Sequence, residues 1–321
     1  MGSGAHKEQQ QAAGAQNAAA AEETTGKDTA LEDGGFDNLF VQDSWQVSSW
    51  VQEQKEKREM VYGWIDSALE EIGKNPEAFQ SYLDAQARWL QYSARNVLLI
   101  ERQAPQASRL GDYAYWRDYG FYVRRKERQR PILILEPGLE YVREDGSVGT
   151  YYNVRSVYDI SQTTGKGKLM RRDMGQLDTR VKLRALMYRS PVPIQPEEKL
   201  GRPAYYNVTE QVIQVQKGLS GEEIFHALSV ELAHVELEGM GYEEGERAVA
   251  AAYAAYIVEK RYGMAEAGDF PFLPQYFEGM DTKEIGAELK KIRDTAAAIA
   301  GRVDRSLGHQ QQKAKPERQD R

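Results

Sequence analysis

Apolar residues recur at helical spacing between Val47 and Ile72. Trp50, Val51, Val61, Trp64, Ile65, Leu69 and Ile72 share a face, while the run Glu53–Glu59 stays polar. The same period predicts a second helix from Pro76 to Glu101, with Phe79, Leu83, Ala87, Leu90, Val97, Leu98 and Ile100 inward. The pattern then shortens. Phe121–Arg125, Arg130–Glu136 and Val148–Val157 read as strands, and Asp145-Gly146 between the last two is a hairpin turn signal. Thr163–Lys168 (TTGKGK) reads as a basic hinge, Asp173–Tyr188 as a helix and Ser190–Glu198 as an extended linker. A two-strand unit follows, Ala204–Asn207 and Gln211–Gly218. Helices are expected over Gly221–Glu238, Glu243–Tyr262 and Thr282–Ile299. The Ala/Tyr-rich face of Arg247–Tyr262 is expected to pack as core.

Both ends lack this patterning. Met1 to about Gly35 is Gln, Ala, Glu, Gly and Thr with little to bury, and Ser306–Arg321 is similarly polar, so both are expected to be disordered. The predicted class is α+β: N-terminal helices with a small antiparallel sheet, then a mostly helical part with a short β unit. The expected divisions are a tail over 1–44, a first domain over 45–165, a linker over 166–200, a second domain over 201–301 and a tail over 302–321.

The chain has 321 residues, no Cys and a formal net charge of -7. The missing thiols remove disulfides, thiolate metal sites and Cys nucleophiles, and fit a reducing cytoplasm. No apolar run approaches the ~20 residues of a membrane span, and no secretion signal is recognised at the N-terminus. The acidic total argues against a general affinity for nucleic acid but hides one segment. Between Arg88 and Arg130 there are ten Lys/Arg against four Asp/Glu. Arg88, Arg95 and Arg102 recur every seven residues, which would keep them near one stripe of a continuous helix. Arg124, Arg125, Lys126, Arg128 and Arg130 cluster further on, and Trp89, Tyr92, Tyr113, Tyr115, Trp116, Tyr119, Phe121 and Tyr122 lie between. Cations along phosphates with aromatics under bases are how single strands are held. The same residues also fit a solvated helix face, an aromatic core and a charged strand edge that prevents aberrant pairing.

A second constellation lies on the helix at Ile224–Gly239. In a zinc-peptidase helix two His at i and i+4 share one ion, and the Glu after the first activates its bound water. Here Glu231 and His234 are in place, but Val230 occupies the first His position. His226 is no substitute. It lies eight residues before His234, about 12 Å along a helix at ~1.5 Å per residue. No P-loop, dinucleotide fingerprint or nucleophile elbow is present.

Tyr92, Ser93, Asn96, Leu99, Ile100, Gln103 and Pro105 form a YSxxNxxLIxxQxP block. Trp116, a basic turn and the sequence VYDISQT (Val157–Thr163) follow it in order. This arrangement resembles the N-terminal domain of ArdC-type antirestriction proteins, which LtrC-like proteins of conjugative elements share. The second half resembles that family's zincin-like metallopeptidase domain through AYYN, the strand after it and the LxxxELAH helix. The resemblance implies binding of single-stranded DNA during its transfer on mobile elements, and protection of that DNA from host restriction. Its candidate contacts here are Arg88, Tyr92, Arg95, Asn96, Arg102, Trp116, Arg124, Arg125, Lys126, Arg128 and Arg130. The chain departs from the family at two metal ligands. Val230 replaces the first His, and, with Tyr256–Val258 aligned to the family's block, Ala252 replaces the Glu of the next helix. Glu231 and His234 then read as vestigial, with no cofactor expected and zinc only if an atypical site forms. The basic turn also lacks the family's Gly. Three readings stay open: a single-stranded-DNA-binding protein with an inactive peptidase-like domain, an active metallopeptidase using His234, Glu231 and one of Glu243–Glu246, and a module that binds a host restriction or regulatory protein.

Overall fold

A computed structural model describes residues 37–143, 146–168, 174–242, 244–264 and 276–314. The expected disorder of 1–35 and the Asp145 half of the hairpin signal fall outside these residues. The chain divides into two compact units, Met1–Glu53 and Gln54–Arg321. Helix α1 (Asp37–Lys74) begins ten residues before the predicted start. In its second half Val61, Ile65, Leu69 and Ile72 are buried at the predicted spacing.

The helix expected over 76–101 is two helices, α2 (Pro76–Arg88) and α3 (Ala94–Gln103). Capping explains the break. Asn75 accepts the Glu77 N–H and Ser93 the Asn96 N–H, so each starts a new helix. Buried Gln86 staples the turn between them: its amide donates to the carbonyls of Trp89 (3.4 Å) and Tyr92 (3.3 Å) and it accepts the Tyr82 hydroxyl.

Strands β1 (Leu110–Gly111), β3 (Ile132–Val142) and β4 (Val148–Asp159) form an antiparallel sheet in the order β1-β4-β3. The short helix α4 (Tyr113–Asp118) leads into β2 (Phe121–Val123), which pairs with β5 (Thr163–Gly165) as a separate ribbon. The expected hinge is therefore partly strand. Its glycines permit this, since a Cβ on Gly167 would stand 2.1 Å from the Tyr119 carbonyl oxygen.

The stretch read as a linker over 166–200 contains α5 (Thr179–Met187) and strand β6 (Ile194–Glu197). β6 runs parallel to β8 (Val212–Gln216), whose other side pairs antiparallel with the edge strand β7 (Ala204–Asn207). Three helices complete the fold: α6 (Gly221–Leu237), α7 (Glu244–Tyr262) and α8 (Thr282–Ala314). α6 starts at a capping box of Ser220 and Glu223. Along α7 the Ala and Tyr side chains from Ala250 to Tyr256 are mostly buried, and Tyr253 meets Phe79 of α2 edge-on at 4.8 Å. α8 continues through Ala314 where the sequence reads as a polar tail. Val303, Ser306 and Leu307 are buried on it, a sparse apolar stripe among charged residues. The class is α+β, as expected. No helix among the described residues is long and apolar enough to cross a membrane.

Candidate nucleic-acid interface

The residues singled out from the sequence divide into supports and surface. Asn96 and Trp116 are supports. Asn96, on α3, is 8% exposed and faces the outer side of edge strand β3. Its Nδ2 donates to the Leu135 carbonyl at 2.8 Å and its Oδ1 accepts the Leu135 N–H at 2.7 Å. Gln103, two turns on, does the same for Leu133, with both distances 2.9 Å. Two side-chain amides thus occupy the place of a neighbouring strand and close that part of the sheet edge. Trp116 is fully buried with its Nε1–H donated to the Tyr158 carbonyl at 3.0 Å, so its ring has no face to offer a base. Tyr92 is half-buried and packs edge-on against Trp89.

The expected stripe of Arg88, Arg95 and Arg102 is broken by the turn between α2 and α3. Arg88 pairs with Glu101 at 2.9 Å and donates to the Pro105 carbonyl. Arg102 lies 5.5 Å from the centre of the Trp64 ring, and Arg95 is exposed.

The basic turn is surface throughout. Arg124, Arg125, Lys126, Arg128 and Arg130 are all exposed around a 3₁₀ turn, Arg125–Glu127. Arg124 enters it extended at φ −61° and Arg128 leaves it right-handed at φ −59°, so no residue needs glycine. Arg124 reaches the Ser161 carbonyl and approaches Glu127 at 3.9 Å. The side chains of Arg125, Lys126 and Arg130 have no hydrogen-bond or ion-pair partner among the described residues.

What fixes the turn is the VYDISQT segment. Gln162 takes the Arg124 N–H on its carbonyl (3.0 Å) and gives its own side-chain amide to the Arg130 carbonyl (2.8 Å). The Tyr158 hydroxyl donates to the Arg128 carbonyl at 3.2 Å. Asp159 accepts the N–H groups of Ser108, Arg109 and Ser161 and forms a capping box with Gln162. Burial pushes the Asp159 carboxyl up, but these hydrogen bonds together outweigh it and hold it below the usual carboxylate range.

Exposed Tyr113, Tyr122 and Arg117 line one pocket with Arg128 of the turn, and Tyr119, also exposed, follows at the end of α4. The Arg128 guanidinium lies 5.9 Å from the centre of the Tyr113 ring. None of Tyr113, Tyr119, Tyr122 and Arg117 was among the candidate contacts. Exposure separates them from Trp116, and their sequence signal is that Tyr113 and Arg117 fall at i and i+4 of α4 while Tyr122 alternates outward on β2 between Phe121 and buried Val123.

The second constellation presents a different chemistry. Glu231 Oε2 accepts the Tyr206 N–H of edge strand β7 at 2.8 Å. Burial raises its carboxyl above the usual range against the pull of that hydrogen bond and of Arg202. His234 is half-buried; burial first, then Arg247 of α7, holds its imidazole below the usual range. The Arg247 Nε is buried without a hydrogen-bond partner among the described residues. Glu238 accepts the Tyr206 hydroxyl at 2.6 Å, and burial with that bond pushes the phenol up to about 12. His226 is an exposed side chain with Nδ1 2.9 Å from the buried Glu259, away from this group. Among the described residues no three His, Asp or Glu side chains stand where they could hold an ion. Val230 and the positive charge of Arg247 near His234 disfavour a metal there, while Glu243 and the Glu244 side chain, two of the acidic residues expected to complete an atypical site, lie outside the described residues.

No protein-family model matches the chain. An uncharacterised protein of Bacillus anthracis is 21% identical over 79% of this chain and 53% of its own length, so the chain spans about half of the curated relative it matches. Among solved structures, the antirestriction protein ArdC from plasmid R388 is similar in two forms. The metal-free form has a TM-score of 0.49 at 15% identity, covering 76% of this chain and 98% of that one. The Mn(II)-bound form has 0.48 at 15% identity, covering 77% and 97%.

Proposed function

We propose that this protein binds single-stranded DNA in the cytoplasm as an ArdC-like antirestriction protein of a mobile genetic element, shielding incoming strands. Residues 45–165 carry the binding surface. Residues 201–301 form a catalytically inactive peptidase-like part that serves as scaffold, with a host restriction or regulatory protein as a further partner. The observation that carries the reading is the basic turn: five exposed cations on a fixed backbone, three of them unpaired among the described residues, beside exposed Tyr113 and Tyr122 in a protein of net charge -7. An exposed charge cluster held by the side chains of Tyr158 and Gln162, from elsewhere in the fold, is more than a solvated edge needs. Stacking adds ~1–3 kcal/mol per base without regard to sequence. The inactivity of the second part is supported by Val230, by the Tyr206–Glu231 hydrogen bond and by Arg247.

The test is an anisotropy titration with a labelled single strand of about 30 nucleotides, a duplex competitor and the variant Arg124→Ala/Arg125→Ala/Lys126→Ala. The reading expects binding that the duplex displaces poorly and the variant loses. Absence of binding at low salt would end it.

A further inference from the structure

Between α4 and β2 lies a shallow pocket of ≈ 310 Å³ lined by Tyr113, Arg117, Phe121, Tyr122 and Arg128. We propose that it is a single-nucleotide subsite, in which one unstacked base lies between Tyr113 and Tyr122 while Arg117 and Arg128 hold its flanking phosphates. The proposal rests on the single-strand reading above and names where that strand is gripped.

Three observations support it. The pocket has one fixed wall. The Tyr113 ring lies 4.9 Å from that of Tyr158, whose hydroxyl also anchors the Arg128 backbone, and buried Trp116 ties α4 to the Tyr158 carbonyl. The other wall is open to solvent: Tyr122 is 60% exposed on a two-stranded ribbon. The lining carries two cations and no carboxylate. A volume near the small end of ligand sites admits one nucleotide and excludes a stacked pair. A base reaches such a pocket only when it has left the stack, which selects single strands over duplex. Arg125, Lys126 and Arg130 continue the positive surface for neighbouring phosphates.

The experiment uses the full chain and single-stranded oligonucleotides of about 15 nucleotides carrying one 2-aminopurine, with Tyr122→Ala, Tyr122→Phe, Arg117→Ala and Arg125→Ala/Lys126→Ala variants. Expected are quenching of the probe on binding and about tenfold weaker affinity for Tyr122→Ala and for Arg117→Ala, with Tyr122→Phe close to wild type. Tyr122 and Arg117 are exposed, so unchanged melting curves check that the fold is intact. If wild type binds and Arg125→Ala/Lys126→Ala weakens it, while Tyr122→Ala stays within twofold and the probe is not quenched, the subsite is wrong and the single-strand reading stands. If wild type does not bind at low salt, both fall together.

Discussion

Asn96 offers the sharpest separation of a supporting role from a contact role. Replacing it with Ala removes both hydrogen bonds to Leu135, whose N–H and carbonyl then face α3 with no partner. Leu135 is 4% exposed, so water reaches neither group easily. A buried group left unsatisfied costs about 1–3 kcal/mol. Two such groups, less some relaxation of an edge strand, give a loss of about 2–4 kcal/mol, a large share of the ~5–15 kcal/mol that holds a typical protein together. Gln103→Ala should cost less, because that side chain is only half-buried. The double variant should be non-additive, since both amides seal the same strand. Urea unfolding followed by circular dichroism measures the loss, with an unchanged slope confirming that the transition is the same. The folded variant should bind single-stranded DNA within about twofold of wild type. A stability change below ~0.5 kcal/mol together with a tenfold loss of DNA affinity would refute the reasoning and return Asn96 to the interface.

Other expectations concern the second constellation and the ribbon. The folded protein holds the His234 imidazole below its ordinary range, so the unfolded chain binds more protons there and stability falls as pH drops through the ordinary His range near ~6.5. His234→Gln should flatten the difference between urea midpoints at pH about 7.5 and 5.5, and an unchanged difference would contradict it. Val230→His restores the missing imidazole position yet should leave zinc well below one per chain by elemental analysis, because the positive charge of Arg247 near His234 remains. Stoichiometric zinc would overturn that. Gly167→Ala drives a methyl against the Tyr119 carbonyl and the Phe121 ring, so a loss of about 1–3 kcal/mol is expected, along with weaker DNA binding through displacement of the ribbon. A variant as stable as wild type would show that β5 can move aside.

The readable parts of the sequence were those with local physical causes. The α+β class, the period of α1 and the buried face of α7 follow from apolar spacing. So does the exposure of the Arg124–Arg130 run, which no core could accept. The split between α2 and α3 was hidden because the apolar positions keep step across it. The deciding groups were polar: Ser93 as a cap and Gln86 as a staple. β6 was hidden in a proline-containing stretch with little apolar content, which pairs only because β8 lies beside it. The burial of Asn96 and Trp116 is hidden for a related reason. Asn96 belongs to, and Trp116 follows, a block that resembles a nucleic-acid-binding domain, but the block's Asn96 and Gln103 support the sheet edge while Tyr158, Asp159 and Gln162 support the turn. Exposure, which sequence does not display, is why the proposed function turns to Tyr113 and Tyr122 in place of Trp116.

The central claim is that an exposed set of cations holds the phosphates of a single strand, and its most direct test is the salt dependence of that binding. Releasing condensed counterions gives a slope of log K against log salt of about −0.7 per phosphate contacted. With four to five of the cations at Arg117 and Arg124–Arg130 engaged, the slope should be about −3. Removing Arg125, Lys126 and Arg130 together should bring it towards about −1. A steep slope that these substitutions leave unchanged would place the strand on another surface, and an affinity indifferent to salt would contradict the account.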